Sequence, residues 1–359
     1  MNRRVYIAAA SQISIQKPLS EEWMTHPLRY DEPYVRCADP DFRQFFSPMQ
    51  ARRMGLLMKR AVTVSRAVME ASGIGCPDAI VTGTGLGCLE NTKLFLDAML
   101  KDGEQSLSPT PFMQSTHNTI SSLIAIQMGC KCYNCTYSQG DISFESALLD
   151  AFIQLQSGAI SNALVGSHDE TTPTAAALLQ QSGYASPDAP LSEASVATVI
   201  MAEDCAGGTT GSSDASLRSA PPFAPLTVPP LNVPRVAVSS HAVVPPADNR
   251  EEKTESERSE TSTRQRVPSA ENILCELADV RILWRPKNLV DVIGEYGAEY
   301  VMESNEYQAL FGRNCSASGL GTYAAAHLIA AGRYSSVLVV NEASDNVGLV
   351  YLRKPCGDC

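Results

Sequence analysis

The stretch Thr110–Glu170, TPFMQSTHNTISSLIAIQMGCKCYNCTYSQGDISFESALLDAFIQLQSGAISNALVGSHDE, decides the fold. Apolar residues at helical spacing run from Ile120 to Met128 and stop at Gly129. A strand-like run, Cys132 to Tyr137, leads into a turn. A longer helical pattern, Phe144 to Gln156, then stops at Gly158 ahead of a strand at Asn162 to Val165. Helix, strand, turn, helix and strand in this order predict an α/β architecture.

Working outward, Val5 to Ala10 reads as an opening strand, and a polar region to Phe46 reads as a surface excursion. Ser47 followed by Pro48 is a helix start signal, with apolar residues recurring at helical spacing behind it. The run AIVTGTGLGCLENT (residues 79–92) is a strand, a glycine-rich turn and a helix. Gly83, Gly85 and Gly87 lack both the third spaced glycine of a dinucleotide fingerprint and the Lys-Ser/Thr of a P-loop, so close backbone packing accounts for them. From Gly207 to Ala270 the composition turns to Ser, Thr, Pro and charge, too poor in apolar residues to offset the entropy of ordering. The expected organisation is therefore a half at 1–206, a low-complexity, disordered linker at 207–270 that includes a Pro-rich stretch, and a shorter half at 271–359.

The layout of Thr110–Glu170 resembles the β-ketoacyl synthases of the thiolase-like superfamily, whose nucleophilic cysteine sits on a strand-to-helix turn. In that family the glycine ending the earlier helix precedes the cysteine by twelve residues, and the glycine ending the later helix follows it by seventeen. Counted from Gly129 and from Gly158, both place Asp141 at the nucleophile position. A register slip of two residues puts Gln139 there instead, as in the chain-length factors that partner active ketosynthases. Arg52, Arg53 and Met54 match a family helix, and "ALVGSHDE" and "SEASVATVIMAED" look like two further family strands. Further on, NLVDVIGEYGAEYVMESNEYQALFG looks like the family strand that carries the first His-Gly turn, followed by an acidic helix, with Tyr296 and Gly297 at the His-Gly positions. Phe311 and Ser316 fall at the Lys and second His positions, and Asn341 matches the Asn before the family's last glycine-rich turn, replaced here by EASDN. The resemblance implies two similar α-β-α-β-α halves in a five-layered αβαβα arrangement.

Decarboxylative condensation needs an acylated thiol, imidazoles and oxyanion-holding N–H groups. Asp141, Tyr296 and Ser316 supply neither sulfur nor imidazole at the three expected places, so the family's condensing chemistry is expected to be lost. Asp141 reads more simply as a helix N-cap. An alternative enzyme, an acyltransferase, would use Cys135, or His117 or His168 with Asp141 or Asp169, and Ser143 as a further nucleophile. His327 reads as packing, and His26 and His241 have no companion residues.

A net charge of −11 argues against nucleic acid and anionic membranes. No run of about eighteen apolar residues occurs. The eleven cysteines form no metal-type motif and are expected to be reduced thiols of a cytoplasmic protein. The expected role is a noncatalytic subunit of fatty acid or polyketide (aryl-polyene-type) biosynthesis. It would pair with an active ketosynthase or with itself through Cys132 to Tyr137, receive an acyl carrier protein, and need no cofactor or metal.

Overall fold

The computed structural model describes residues 3–104, 107–184, 189–203 and 273–355. The segment expected to be a linker, with its Pro-rich stretch and His241, lies outside the described residues. The first half comprises β1 (Val5–Ile13), α1 (Pro48–Arg52), α2 (Leu56–Ser72), β2 (Ala79–Gly83), α3 (Leu89–Asp102), α4 (Pro109–Ser115) and α5 (Thr119–Met128). It continues through β3 (Tyr133–Tyr137), α6 (Ser143–Ser157), β4 (Asn162–Asp169), α7 (Pro173–Gln181) and β5 (Ala194–Ala202). The second comprises β6 (Cys275–Trp284), α8 (Leu289–Glu295), β7 (Tyr300–Met302), α9 (Ser304–Phe311), α10 (Ala317–Ala330), β8 (Ser336–Ala343) and β9 (Asn346–Arg353).

The strands form one sheet in the order β3-β2-β4-β5-β1-β6-β9-β8-β7. Its two halves are joined where β1 runs antiparallel to β6, Val5 opposite Leu277. Each half repeats one pattern. A parallel pair (β2 with β4, β7 with β8) is followed by two antiparallel steps, to β5 and β1 or to β9 and β6.

Alternation along the strands explains the layers. Ala79, Val81, Ala163 and Val165 face a central core with α6 and α10, and Val337, Val339, Val350 and Leu352 close that core from the other half. Ile80 and Leu164 point the opposite way, under α2 and α5, while Leu338, Val340 and Leu349 lie under α8. The result is five layers: α2 and α5, the first half-sheet, α6 and α10, the second half-sheet, and α8.

The glycines predicted to stop helices do so. Gly129 (φ 68°) and Gly158 (φ 77°) take the left-handed conformation that ends α5 and α6. Ser47 caps α1 through a capping box with Gln50. The helix expected to follow without interruption is broken at Gly55, whose extended backbone starts α2 afresh; a Cβ there would lie 3.0 Å from the Asn91 amide. The polar excursion after β1 is tied down by the buried Arg60 guanidinium, which donates to Glu193 at 2.7 Å and to Asp39 at 3.0 Å. No helix among the described residues is long and apolar enough to cross a membrane.

Candidate functional site

The central helices α6 and α10 begin near one another, and the residues just ahead of them make the site. Asp141 stands two residues before α6, and Cys315 two before α10. Asp141 is not the expected N-cap: Ile142 occupies that position without a side-chain hydrogen bond. Its carboxylate instead accepts the Tyr184 hydroxyl at 2.5 Å, because the β4–β5 connection brings that ring across the α6 N-terminus. The Asp141 carbonyl accepts from Asn341 Nδ2 at 2.7 Å, and the same amide donates to the buried Glu145 carboxylate at 2.8 Å. Asn341 thus clamps the start of α6 from β8.

Cys315 was not foreseen as a site residue. Its thiol lies 4.0 Å from the Tyr184 hydroxyl, and the Arg313 guanidinium stacks 4.3 Å from the Tyr184 ring centroid. Only 6% of Cys315 is exposed. Burial, with the charges of Asp169 and Asp141, pushes this thiol well above its ordinary range, so it is protonated at neutral pH. Burial likewise raises Tyr184, which remains a hydroxyl donor.

Behind them Asp169, fully buried at the end of β4, accepts from the Thr84 hydroxyl (2.8 Å), the Gly85 and Leu86 N–H groups (3.0 and 2.8 Å) and the Ser316 hydroxyl (2.7 Å). Ser167 donates in turn to Ser316 at 2.8 Å. Ser316 is therefore a latch between the halves. The glycine-rich turn has given its N–H groups to Asp169 and holds none ready for a phosphate. Its glycines permit close approach: a Cβ on Gly83 would meet the Ser143 carbonyl at 2.5 Å, and one on Gly85 the Cys315 sulfur at 2.5 Å.

Burial pushes Glu145 up to about 7, opposed in part by the Asn341 amide, and among the described residues its Oε2 has no hydrogen-bond partner within bonding geometry. A cleft of about 330 Å³ opens beside Arg313 and is lined by Glu303, Ser304, Asn305, Gln308 and Glu342.

The other expected positions are not gathered here. Tyr296 does not follow a strand: Leu289–Glu295 is helix α8, and Tyr296 ends it against Tyr351, donating to Asp279 at 2.9 Å. The strand of that region is β7, and Glu303 and Ser304 follow it toward the cleft. Phe311 is buried in the central core against Trp23. Gln139 is exposed and accepts the Ser146 hydroxyl. Ser143 donates to the Gly140 carbonyl at 2.7 Å and accepts the Gln139 N–H at 2.8 Å. Cys135 lies on β3, partly packed against the central core.

The alternative histidine site is not assembled. His168 and Asp169 are neighbours on β4 and face opposite ways. His168 is fully buried, bonded through Nδ1 to Ser195 at 2.6 Å and lowered to about 3 by burial. His117 packs beside Gly87. Among the described residues neither imidazole hydrogen-bonds to Asp141 or Cys315. His327 packs on Tyr323. No group of three or more His, Cys, Asp or Glu among the described residues could hold a metal ion.

These features place the chain in the thiolase-like class of α/β proteins. Residues 21–216 match the β-ketoacyl synthase N-terminal domain family, and the chain belongs to that family. Three solved structures share the fold. An acyl-carrier protein in complex with its ketosynthase, from a type II polyketide synthase and bound to the hexaketide, aligns with a TM-score of 0.69 at 12% identity. The ishigamide ketosynthase/chain length factor gives 0.66 at 15%, and a β-ketoacyl synthase from Burkholderia phymatum gives 0.65 at 11%. Each alignment covers 99% of this chain and 100% of the other. No curated protein matches the sequence.

Proposed function

We propose that this chain is a noncatalytic ketosynthase-like subunit, of the chain-length-factor kind, that pairs with an active ketosynthase in fatty acid or polyketide synthesis of aryl-polyene type. The observation that carries the reading is the state of the site: Asp141 stands ahead of α6, and the neighbouring Cys315 thiol is buried among carboxylates with no imidazole among the described residues bonded to it to take its proton. A carboxylate is a poor acyl-transfer nucleophile, and a protonated thiol is a worse one than a thiolate.

Pairing is supported by the edge that β3 leaves at one end of the sheet. Around it α3, α4 and α5 expose Leu96, Leu100, Phe112, Met113 and Ile126, with Leu100 84% and Ile126 73% accessible. Large side chains left open on adjoining helices are the mark of a surface that a partner covers. A solved relative in fold is a ketosynthase/chain length factor, and another is a ketosynthase with its acyl-carrier protein. By this reading the carrier protein meets the pair, and the assembly works in the cytoplasm.

The test is co-expression with the cysteine-bearing ketosynthase encoded nearest to it. The proposal predicts a 1:1 complex, lost in a Met113→Glu/Ile126→Glu variant that keeps its native circular dichroism. A monomer that ignores the ketosynthase would overturn it.

A further inference from the structure

Three cysteines meet at the end of the sheet opposite the candidate site. β2 and β3 run parallel, with Ala79 paired to Tyr133. Cys76 lies three residues before Ala79 and Cys130 three before Tyr133, so both lead-ins start at one height. Their Sγ atoms are 2.8 Å apart, although the residues are 54 positions apart in sequence. Cys130 is held from behind: its N–H donates to the Ala125 carbonyl at 2.9 Å. Cys76 is exposed, Cys130 is 8% accessible, and Cys132 is intermediate.

We propose that Cys76 and Cys130 form a thiol–disulfide exchange site that takes small-molecule disulfides and closes to an intramolecular disulfide. The exposed Cys76 thiolate attacks one sulfur of the small disulfide, giving a mixed disulfide and releasing one small thiol. Cys130, losing its proton to solvent, attacks the Cys76 sulfur, forms the protein S–S bond and releases the second small thiol. Two electrons pass from the protein thiols to the small disulfide, and two small thiols leave.

The separation must shrink by about 0.8 Å to reach a disulfide bond length, a movement within reach of two loop residues. The asymmetry in exposure assigns the roles, because only Cys76 is open to an incoming reagent while Cys130 waits behind it to resolve the adduct. Burial and the neighbouring Cys76 push Cys130 up to about 12, so resolution quickens as pH rises. Five-residue strands separate this end from Asp141 and Asp169, about 17 Å of chain, so closure fixes the lead-in to the β3 edge without touching the candidate site. The inference is independent of the proposed subunit role.

The test treats the native, reduced chain with oxidised glutathione and maps it by peptide mass spectrometry without reduction. The expected result is the loss of two free thiols, a Cys76–Cys130 linked peptide pair, and a Tm raised by about 5 °C or more. Cys130→Ser should keep a persistent glutathione adduct on Cys76, and Cys76→Ser should give neither link nor adduct on Cys130. A lasting adduct on Cys76 in the unaltered chain, a Cys76–Cys132 link as the main product, or a link between two chains would overturn the proposal.

Discussion

The two halves of the sheet repeat one strand order and then prepare their central helices with opposite chemistry. β2-β4-β5-β1 and β7-β8-β9-β6 have the same polarities, and α6 and α10 lie together between them. Two residues ahead of α6 stands a carboxylate, Asp141; two residues ahead of α10 stands a thiol, Cys315. The thiol is held protonated by burial and by the carboxylates Asp169 and Asp141, while Asp141 is itself occupied by Tyr184. A shared scaffold therefore does not imply shared reactivity: what decides it is the charge placed against each helix start. The halves also differ at their free ends, where β3 spans five residues and β7 three.

The latch between the halves offers the largest effect. Asp169→Ala leaves the Thr84 and Ser316 hydroxyls and two turn N–H groups without their buried acceptor, and should cost about 4 kcal/mol in urea unfolding. A loss below about 1 kcal/mol would mean that the turn and α10 are held by other contacts.

Next is the pH profile of Glu145. Its folded pKa, raised from 4.5 to about 7, means that the native state keeps a proton the unfolded state has released between those values. Native stability from this group is full below pH 4.5, falls as pH rises to about 7, and is level above. Glu145→Gln keeps a neutral acceptor for Asn341 and removes that slope. Its unfolding free energy should therefore match the unaltered chain near pH 4.5 and exceed it near pH 8 by up to about 3 kcal/mol. Parallel profiles would show that Glu145 is ionised in the fold.

Gly85→Ala tests how closely the two halves approach. Its Cβ would meet Cys315 at 2.5 Å, and the expected cost is about 2 kcal/mol by thermal unfolding, partly recovered when Cys315→Gly opens the space. The smallest effect belongs to Tyr184→Phe, which deletes the hydroxyl that Asp141 accepts. About 1 kcal/mol should be lost in urea unfolding, and no loss would place Asp141 in solvent.

The first half was largely legible because its punctuation is local. Gly129 and Gly158 stop helices by a backbone conformation that glycine adopts freely, and the apolar periods between them are long enough to read. In the second half, Leu289, Val292, Ile293 and Tyr296 recur at helical spacing and pack from α8 and its C-cap onto Leu338, Val340, Val347 and Leu349, a signal present in the sequence that the strand reading of this region overlooked. β7 has three residues, too few to show a period. Of the residues that the site gathers, Asp141, Asp169, Ser316 and Asn341 were named from the sequence. Tyr184, Arg313 and Cys315 reach it from distant segments through non-local pairing, Leu191 bridging Tyr34 on one side and Arg313 on the other, and no local pattern announces that meeting. Asp141 misled as a cap because a carboxylate before a helix serves equally to receive a hydroxyl from across the fold.

The most direct measurement is intact-mass analysis after incubation with an acyl-carrier protein thioester, followed by peptide mapping. The account predicts no stoichiometric acyl adduct on Cys315, Cys135, Ser143 or Asp141. A one-to-one acyl adduct on Cys315 would contradict it, because that thiol would then be a working nucleophile.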